Sequence, residues 1–146
     1  MATATMALVT ALRRTAVRIG AGARYRWTHQ GACNCGHLAQ TLTDRTPAEL
    51  HALALQKAGD WAQHAVDHCT TSGYPIDHVI DTMLAVGLTT DDLVHLERLS
   101  DPEIVRSFPP GDRDLDFRER GDVVRYMERW ADLLEARLPE PARAAA

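Results

Sequence analysis

The chain is poor in aromatic residues and lysine, and it contains no long apolar run. Aromatic residues make up 5% of the 146 positions, whereas Ala, Leu and Arg are plentiful. This balance favours helices over sheets, which are rich in aromatic and β-branched side chains. Because no run approaches the roughly eighteen apolar residues that a membrane-spanning helix requires, we expect no such helix. A single Lys stands among sixteen basic residues, a bias that we attribute to coding, and we predict no nucleic-acid binding.

Cysteine is also scarce. Three cysteines are an odd number, far below the density of a disulfide-stabilised scaffold. The apolar piece at residues 6–9 is too short for a secretory signal and is soon followed by Arg13 and Arg14. We therefore expect free thiols and a cytoplasmic protein. The first 43 residues carry five Arg and no acidic residue, a pattern that is also typical of an organelle transit peptide.

Length and composition predict one folded domain. A chain of 146 residues can bury roughly two-thirds of its unfolded surface without disulfides or metals. Hydrophobic residues make up 45% and charged residues 25%, which excludes disordered and low-complexity classes. We predict a single compact all-α domain over residues 1–138, with six or seven short helices and an irregular loop that contains Cys and His. Residues 139–146, rich in Pro and Ala, are predicted to be a disordered tail.

Apolar periodicity is clearest at the two ends of the predicted domain. Residues 5–20 and residues 119–138 each repeat apolar side chains every three or four positions, which places them on one face of a helix. The predicted inward side chains are Leu8, Leu12, Ala16 and Ile19 in the first helix, and Val123, Met127, Trp130 and Leu134 in the last.

Capping signals mark shorter helices between these two. One helix should run from Gly36 through Leu42, and another should end at Gly87 with an apolar face of Ile76, Ile80, Met83 and Leu84. Thr89 or Thr90 can cap the next helix. The sequence of residues 100–103 (SDPE) has the pattern of a capping box, and further start signals lie between residues 46 and 69.

Potential metal ligands are concentrated in two short segments. Residues 29–37 and residues 64–69 together contain all three cysteines and four of the seven histidines. These residues are His29, Cys33, Cys35, His37, His64, His68 and Cys69. On a helix, His64 and His68 are one turn apart on the same face, a spacing at which two imidazoles can reach one ion.

This concentration predicts a metal site. Thiolate and imidazole ligands suit zinc, with iron as a possible alternative, while three cysteines cannot supply the four thiolates of an iron–sulfur cluster. The predicted ligands are Cys33, Cys35 and Cys69, with His37 or His68 as the fourth, and His29 and His64 are weaker candidates. The spacing matches no common zinc finger or ribbon, so the alternative that all three cysteines are small buried core residues stays open.

A cysteine nucleophile is a second possible function. A thiolate just ahead of a helix is favoured by the helix dipole, so Cys35 could attack a substrate with His37, His64 or His68 as base. Residues 30–36 (QGACNCG) resemble the Q-G-x-C-G-x-C stretch of papain-like proteases. The likeness covers about eight residues, Gln30 stands one residue too close to Cys35, and Gly36 replaces the family's Trp. A helical interaction module with no site is a third alternative.

Residues 33–40 (CNCGHLAQ) and residues 71–77 (TSGYPID) resemble segments of small bacterial proteins that have no established activity. This resemblance extends over most of the chain and implies a bacterial cytoplasmic protein. It implies no reaction.

Overall fold

The protein folds into helices joined by irregular segments in the part that its computed structural model describes, which comprises residues 1–23, 25, 34–43, 81 and 83–140. Five α-helices and one short 3-10 helix lie wholly in these ranges, residues 81 and 83–85 are also helical, and no described residue forms a strand. The α-helices are α1 (Met6–Gly20), α2 (Asn34–Thr43), α3 (Thr90–Arg98), α4 (Pro102–Ser107) and α5 (Arg120–Ala136), and the 3-10 helix is Pro110–Asp112. The predicted all-α class is confirmed.

The first and last helices form the centre of the core, as their periodicity predicts. The most extensive helix contact in the described ranges joins α1 and α5. All eight apolar side chains that were predicted to face inward from these two helices are buried. Thr5 caps α1, where its hydroxyl accepts a hydrogen bond from the Leu8 amide at 3.2 Å. The periodicity therefore predicts both the helices and their buried faces.

Charged groups also join α1 to α5 at the surface. The Arg13 guanidinium lies 3.0 Å from the Asp132 carboxylate and 2.6 Å from that of Glu135. Hydrogen bonds to Glu135 and Asp132 raise the pKa of Arg13 above its usual value. Arg120 of α5 donates to the carbonyls of Ile19 and Ala23. Ile19 lies in the last turn of α1 and Ala23 three residues beyond its end, so Arg120 adds a donor where the carbonyls at a helix end have few intrahelical partners.

The smaller helices lie around this pair. α2 packs on α1 and on α3, and α4 packs on α5. α2 begins at Asn34, two residues before the predicted start, and Leu38 and Ala39 are buried in the core. Its place against both α1 and α3 sets the position of the Cys35 backbone.

The caps of α3 and α4 agree only in part with the prediction. Thr89 caps α3 in a full capping box with Asp92. At α4 the cap is Asp101, whose carboxylate accepts from the amides of Glu103 and Ile104. The Ser100 hydroxyl instead lies 2.9 Å from Nδ1 of His95.

One glycine has a conformation and surroundings that no other residue would fit. Gly87 follows the helical residues 83–85 with a φ of 106°, and its carbonyl accepts from the Thr3 amide at 2.8 Å. A Cβ at Gly87 would lie 2.8 Å from the Thr3 carbonyl oxygen. Met83 is buried as predicted, but Leu84 is 39% exposed, so its assignment to the inward face is wrong.

No helix within the described ranges is both long and apolar enough to cross a membrane. The helices predicted between residues 46 and 69 lie outside these ranges, as do residues 141–146. The disordered tail thus stays a prediction.

Tyr126 of α5 should make the fold sensitive to alkaline pH. Its hydroxyl is buried and accepts from the Asp101 amide at 3.2 Å, and burial raises the pKa of Tyr126 well above its usual value. In the unfolded chain this tyrosine ionises near the ordinary pKa of about 10. Because the unfolded state then binds fewer protons, the free energy of unfolding should fall by up to about 1.4 kcal/mol per pH unit above that value.

Urea unfolding at a series of pH values tests this prediction. Below the ordinary tyrosine pKa, the contribution of Tyr126 to the free energy of unfolding should not change with pH. Tyr126→Phe should lose the hydrogen bond at all pH values but show a shallower alkaline decline than the parent chain. An equally steep decline in both proteins would contradict the assignment to Tyr126.

Candidate functional site

The described ranges include part of one of the two Cys/His segments. The backbone of Cys35 lies in the first turn of α2, and His37 follows two residues later. The other predicted ligands, His29, Cys33, His64, His68 and Cys69, lie outside the described residues. In the part that is described, no three His, Cys, Asp or Glu side chains are close enough together to hold a metal ion.

Asn34 anchors the beginning of α2 to α3. Its side chain is fully buried, and its amide nitrogen donates to the Leu96 carbonyl at 2.8 Å. No described group forms a hydrogen bond to its amide oxygen. A buried amide that keeps one strong contact fixes the helix start, because breaking the contact would leave further polar atoms unsatisfied. Cys35 therefore follows an immobilised residue.

His37 anchors the same turn to α1. The His37 side chain is 4% exposed, and its Nδ1 lies 3.3 Å from Nη2 of Arg18. A guanidinium can only donate, so Nδ1 is the acceptor and the ring proton lies on Nε2. In this tautomer neither ring nitrogen is ready to ligate a metal, since Nδ1 faces a cation and Nε2 carries the proton.

Arg18 is the centre of a polar cluster between α1 and α2. Besides His37, its guanidinium donates to the Thr41 hydroxyl and to the Gln40 side-chain oxygen, each at 3.0 Å. The buried Thr15 hydroxyl lies 2.7 Å from that of Thr41. These contacts give one cation three acceptors on α2 and so set the position of α2 on α1.

Tyr25 extends the cluster towards α5. Its ring centroid lies 6.4 Å from that of His37, with an angle of 33° between the ring planes. Its hydroxyl donates to the Phe117 carbonyl in the loop before α5. The chain between α1 and α2 is thus attached at Tyr25 to a loop far away in sequence.

The residues of this cluster were not predicted from the sequence, apart from His37. Thr15 lies on the same helix face as Leu12 and Ile19. A polar residue at a position where the apolar repeat predicts a buried side chain was therefore the signal that the sequence offered. Arg18 lies off the apolar face and resembles a surface residue in the sequence alone.

No family model, curated protein or solved structure matches the chain.

Replacing Arg18 should loosen the contact between α1 and α2. Arg18→Met keeps much of the side-chain volume but removes the donor from three acceptors, of which the His37 ring and the Thr41 hydroxyl belong to buried residues. We expect a loss of about 1–3 kcal/mol in the free energy of unfolding. The matched control is Arg98→Met on α3, where the side chain is exposed and the change should stay within about 0.5 kcal/mol. Urea unfolding of both variants measures the difference, and equal losses would contradict the role of Arg18.

Proposed function

We propose that the protein binds one metal ion through cysteine and histidine side chains. The proposed ligands are the thiolates of Cys33, Cys35 and Cys69 and the imidazole of His68. The concentration of every cysteine in the two Cys/His segments supports this proposal. Zinc is the favoured ion and iron the alternative, because thiolates with one imidazole are typical of structural zinc sites. With four protein ligands the site would have a structural or regulatory role.

The anchored first turn of α2 is the observation that carries this proposal. Asn34 holds the turn to α3 and His37 holds it to α1, and Cys35 lies between these two residues. Its backbone is therefore fixed before any ion binds, which reduces the entropy that a site must lose on binding. The start of a ten-residue helix also favours the charged thiolate that ligation requires.

The hydrogen bond from Arg18 favours His68 over His37 as the fourth ligand. For Nε2 of His37 to bind an ion, the ring proton would have to move to Nδ1 and face the Arg18 guanidinium. We therefore assign His37 a positioning role in α2. His29 and His64 remain the weaker candidates, as ligands or as hydrogen-bond partners of a ligand.

Catalysis by a cysteine nucleophile is the alternative function. Cys35 in the first turn of α2 is again the feature that favours it, since the helix dipole stabilises a thiolate there. His37 is an unsuitable base in the described tautomer because its acceptor nitrogen already receives a hydrogen bond. An enzyme would then use His64 or His68.

Metal content in histidine variants tests the proposal. The protein is purified without oxygen or chelator, and zinc and iron are measured per chain. We expect one zinc in the parent chain, a large loss in His68→Gln and retention in His37→Gln. His95→Gln is the matched control, since His95 lies on α3 and its ring contacts Ser100 just beyond the end of that helix. Absence of metal from the parent chain would overturn the proposal, and loss in His37→Gln with retention in His68→Gln would overturn the ligand assignment.

Thiol labelling separates the two functions. In metal-free protein, iodoacetamide should modify Cys35 much faster than Cys33 and Cys69 near neutral pH if Cys35 is a nucleophile. Similar rates for all three thiols, together with one zinc per chain in the untreated protein, would support the metal site. Both functions need reduced thiols, so we also propose a cytoplasmic location, and the resemblance of residues 33–40 and 71–77 to segments of bacterial proteins favours a bacterial source.

A further inference from the structure

A groove with a basic lining lies beside α3 and α4. It has a volume of about 600 Å³ and lies between the end of α3, α4 and residues 113–115. Arg98, Arg106 and Arg113 line it, with Asp114 as the only acidic lining residue. The groove is shallow and open to solvent, and its size falls in the range of small-molecule sites, roughly 300–1,000 Å³.

The three guanidinium groups have no acidic partner among the described residues. Elsewhere in these ranges, Arg13, Arg118, Arg125 and Arg137 each form an ion pair with a carboxylate. The chain as a whole carries a net charge of -4. Three unpaired arginines in one groove therefore form a local positive site on an acidic protein, the arrangement that attracts an anion.

Main-chain contacts hold two of these arginines in place. Nε of Arg106 donates to the Pro102 carbonyl at 2.9 Å. Arg113 donates through Nε to the Phe108 carbonyl at 2.9 Å and through Nη2 to the Arg106 carbonyl at 3.0 Å. Each guanidinium keeps further N–H donors beyond these bonds, because it has five. These two side chains are thus ordered before a ligand binds, which lowers the entropy cost of binding.

We propose that this groove binds a small molecule that carries a phosphate monoester and an apolar ring. Three guanidinium groups and one carboxylate leave two net positive charges, which match the charge of about −1.5 to −2 on a phosphate monoester at neutral pH. Arginine is suited to phosphate because its planar group donates two parallel hydrogen bonds. Val105 and Leu115, which are both partly exposed, supply apolar lining that a ring can contact.

Calorimetric titration with phenyl phosphate tests this groove. We expect saturable binding by the parent chain, with affinity reduced about tenfold or more in Arg98→Gln and in Arg106→Gln, since each variant removes a charged donor. Arg98 is exposed and forms no hydrogen bond within the described ranges, so its variant should keep the parent melting temperature. Arg14→Gln on α1 makes the same change of charge away from the groove and should keep the parent affinity.

Two further ligands test whether the groove recognises both the phosphate group and the ring. Benzoate keeps the ring with one negative charge, and inorganic phosphate keeps the charge without the ring, so both should bind more weakly than phenyl phosphate. The proposal is overturned if phenyl phosphate does not bind saturably, if Arg14→Gln weakens binding as much as Arg98→Gln, or if benzoate binds as tightly as phenyl phosphate. Inorganic phosphate of equal affinity would overturn the apolar part of the site.

Discussion

Removal of the metal is expected to lower the stability of the protein more than any single surface substitution. In a structural zinc site the binding energy is also folding energy, on the order of 10 kcal/mol in small zinc domains. Total stabilities of domains are about 5–15 kcal/mol. A chelator should therefore lower the melting temperature of the protein strongly, although the first turn of α2 stays anchored by Asn34 and His37. A chain in which Cys33, Cys35 and Cys69 are replaced by Ser should not respond to the chelator.

A double-mutant cycle shows whether one ion joins the two Cys/His segments. Cys33→Ser and Cys69→Ser should each remove the metal, so the double variant should be scarcely less stable than either single variant. If the cysteines are buried thiols instead, each substitution costs its own packing and polar burial, about 1–3 kcal/mol, and distant pairs add. Thermal melting with and without chelator measures the cycle. Additive losses that the chelator does not alter would show that the thiols are core residues.

Trp130→Ala is expected to destabilise the fold by about 3–5 kcal/mol, the usual cost of a deleted core aromatic side chain. Trp130 lies on α5 in the core that α5 shares with α1, and its ring meets that of Tyr126 edge-on at 6.2 Å between centroids. The loss is a large fraction of a domain's stability. Urea unfolding followed by circular dichroism measures it.

Two variants control for this result. Trp130→Phe should cost less, since it keeps an aromatic ring and removes an indole N–H that has no hydrogen-bond partner among the described residues. Val17→Ala on α1 should change stability by at most about 0.5 kcal/mol, because the side chain is 67% exposed. A loss in Val17→Ala as large as in Trp130→Ala would contradict the described packing of α1 and α5.

The features that follow from local sequence were predicted well. The buried faces of α1 and α5 follow from helical periodicity, and Thr89 follows from capping chemistry. Residue type alone does not predict the cap of α4, because Ser100 and Asp101 are both good capping residues. Pro102 favours an extended preceding residue, and Asp101 takes that conformation with a ψ of 121°.

Features that depend on distant partners were not predicted. Thr15 and Arg18 of α1 find hydrogen-bond partners on α2, more than twenty residues away. The tautomer of His37 depends on the same contact, so its residue type alone made it a candidate ligand. Leu84 lies at the end of the helical residues 83–85, where its carbonyl accepts from the Gly87 amide as the chain turns, and helical period predicts buried side chains less well at such an end.

X-ray absorption at the zinc edge tests the proposed metal site most directly, because it reports the atoms bound to the ion. Three thiolates at about 2.3 Å and one imidazole nitrogen at about 2.0–2.1 Å are the expected shell. Loss of the nitrogen signal in His68→Gln, with the shell unchanged in His37→Gln, would agree with the assignment. A shell of nitrogen and oxygen atoms without sulfur, or no bound metal at all, would contradict it.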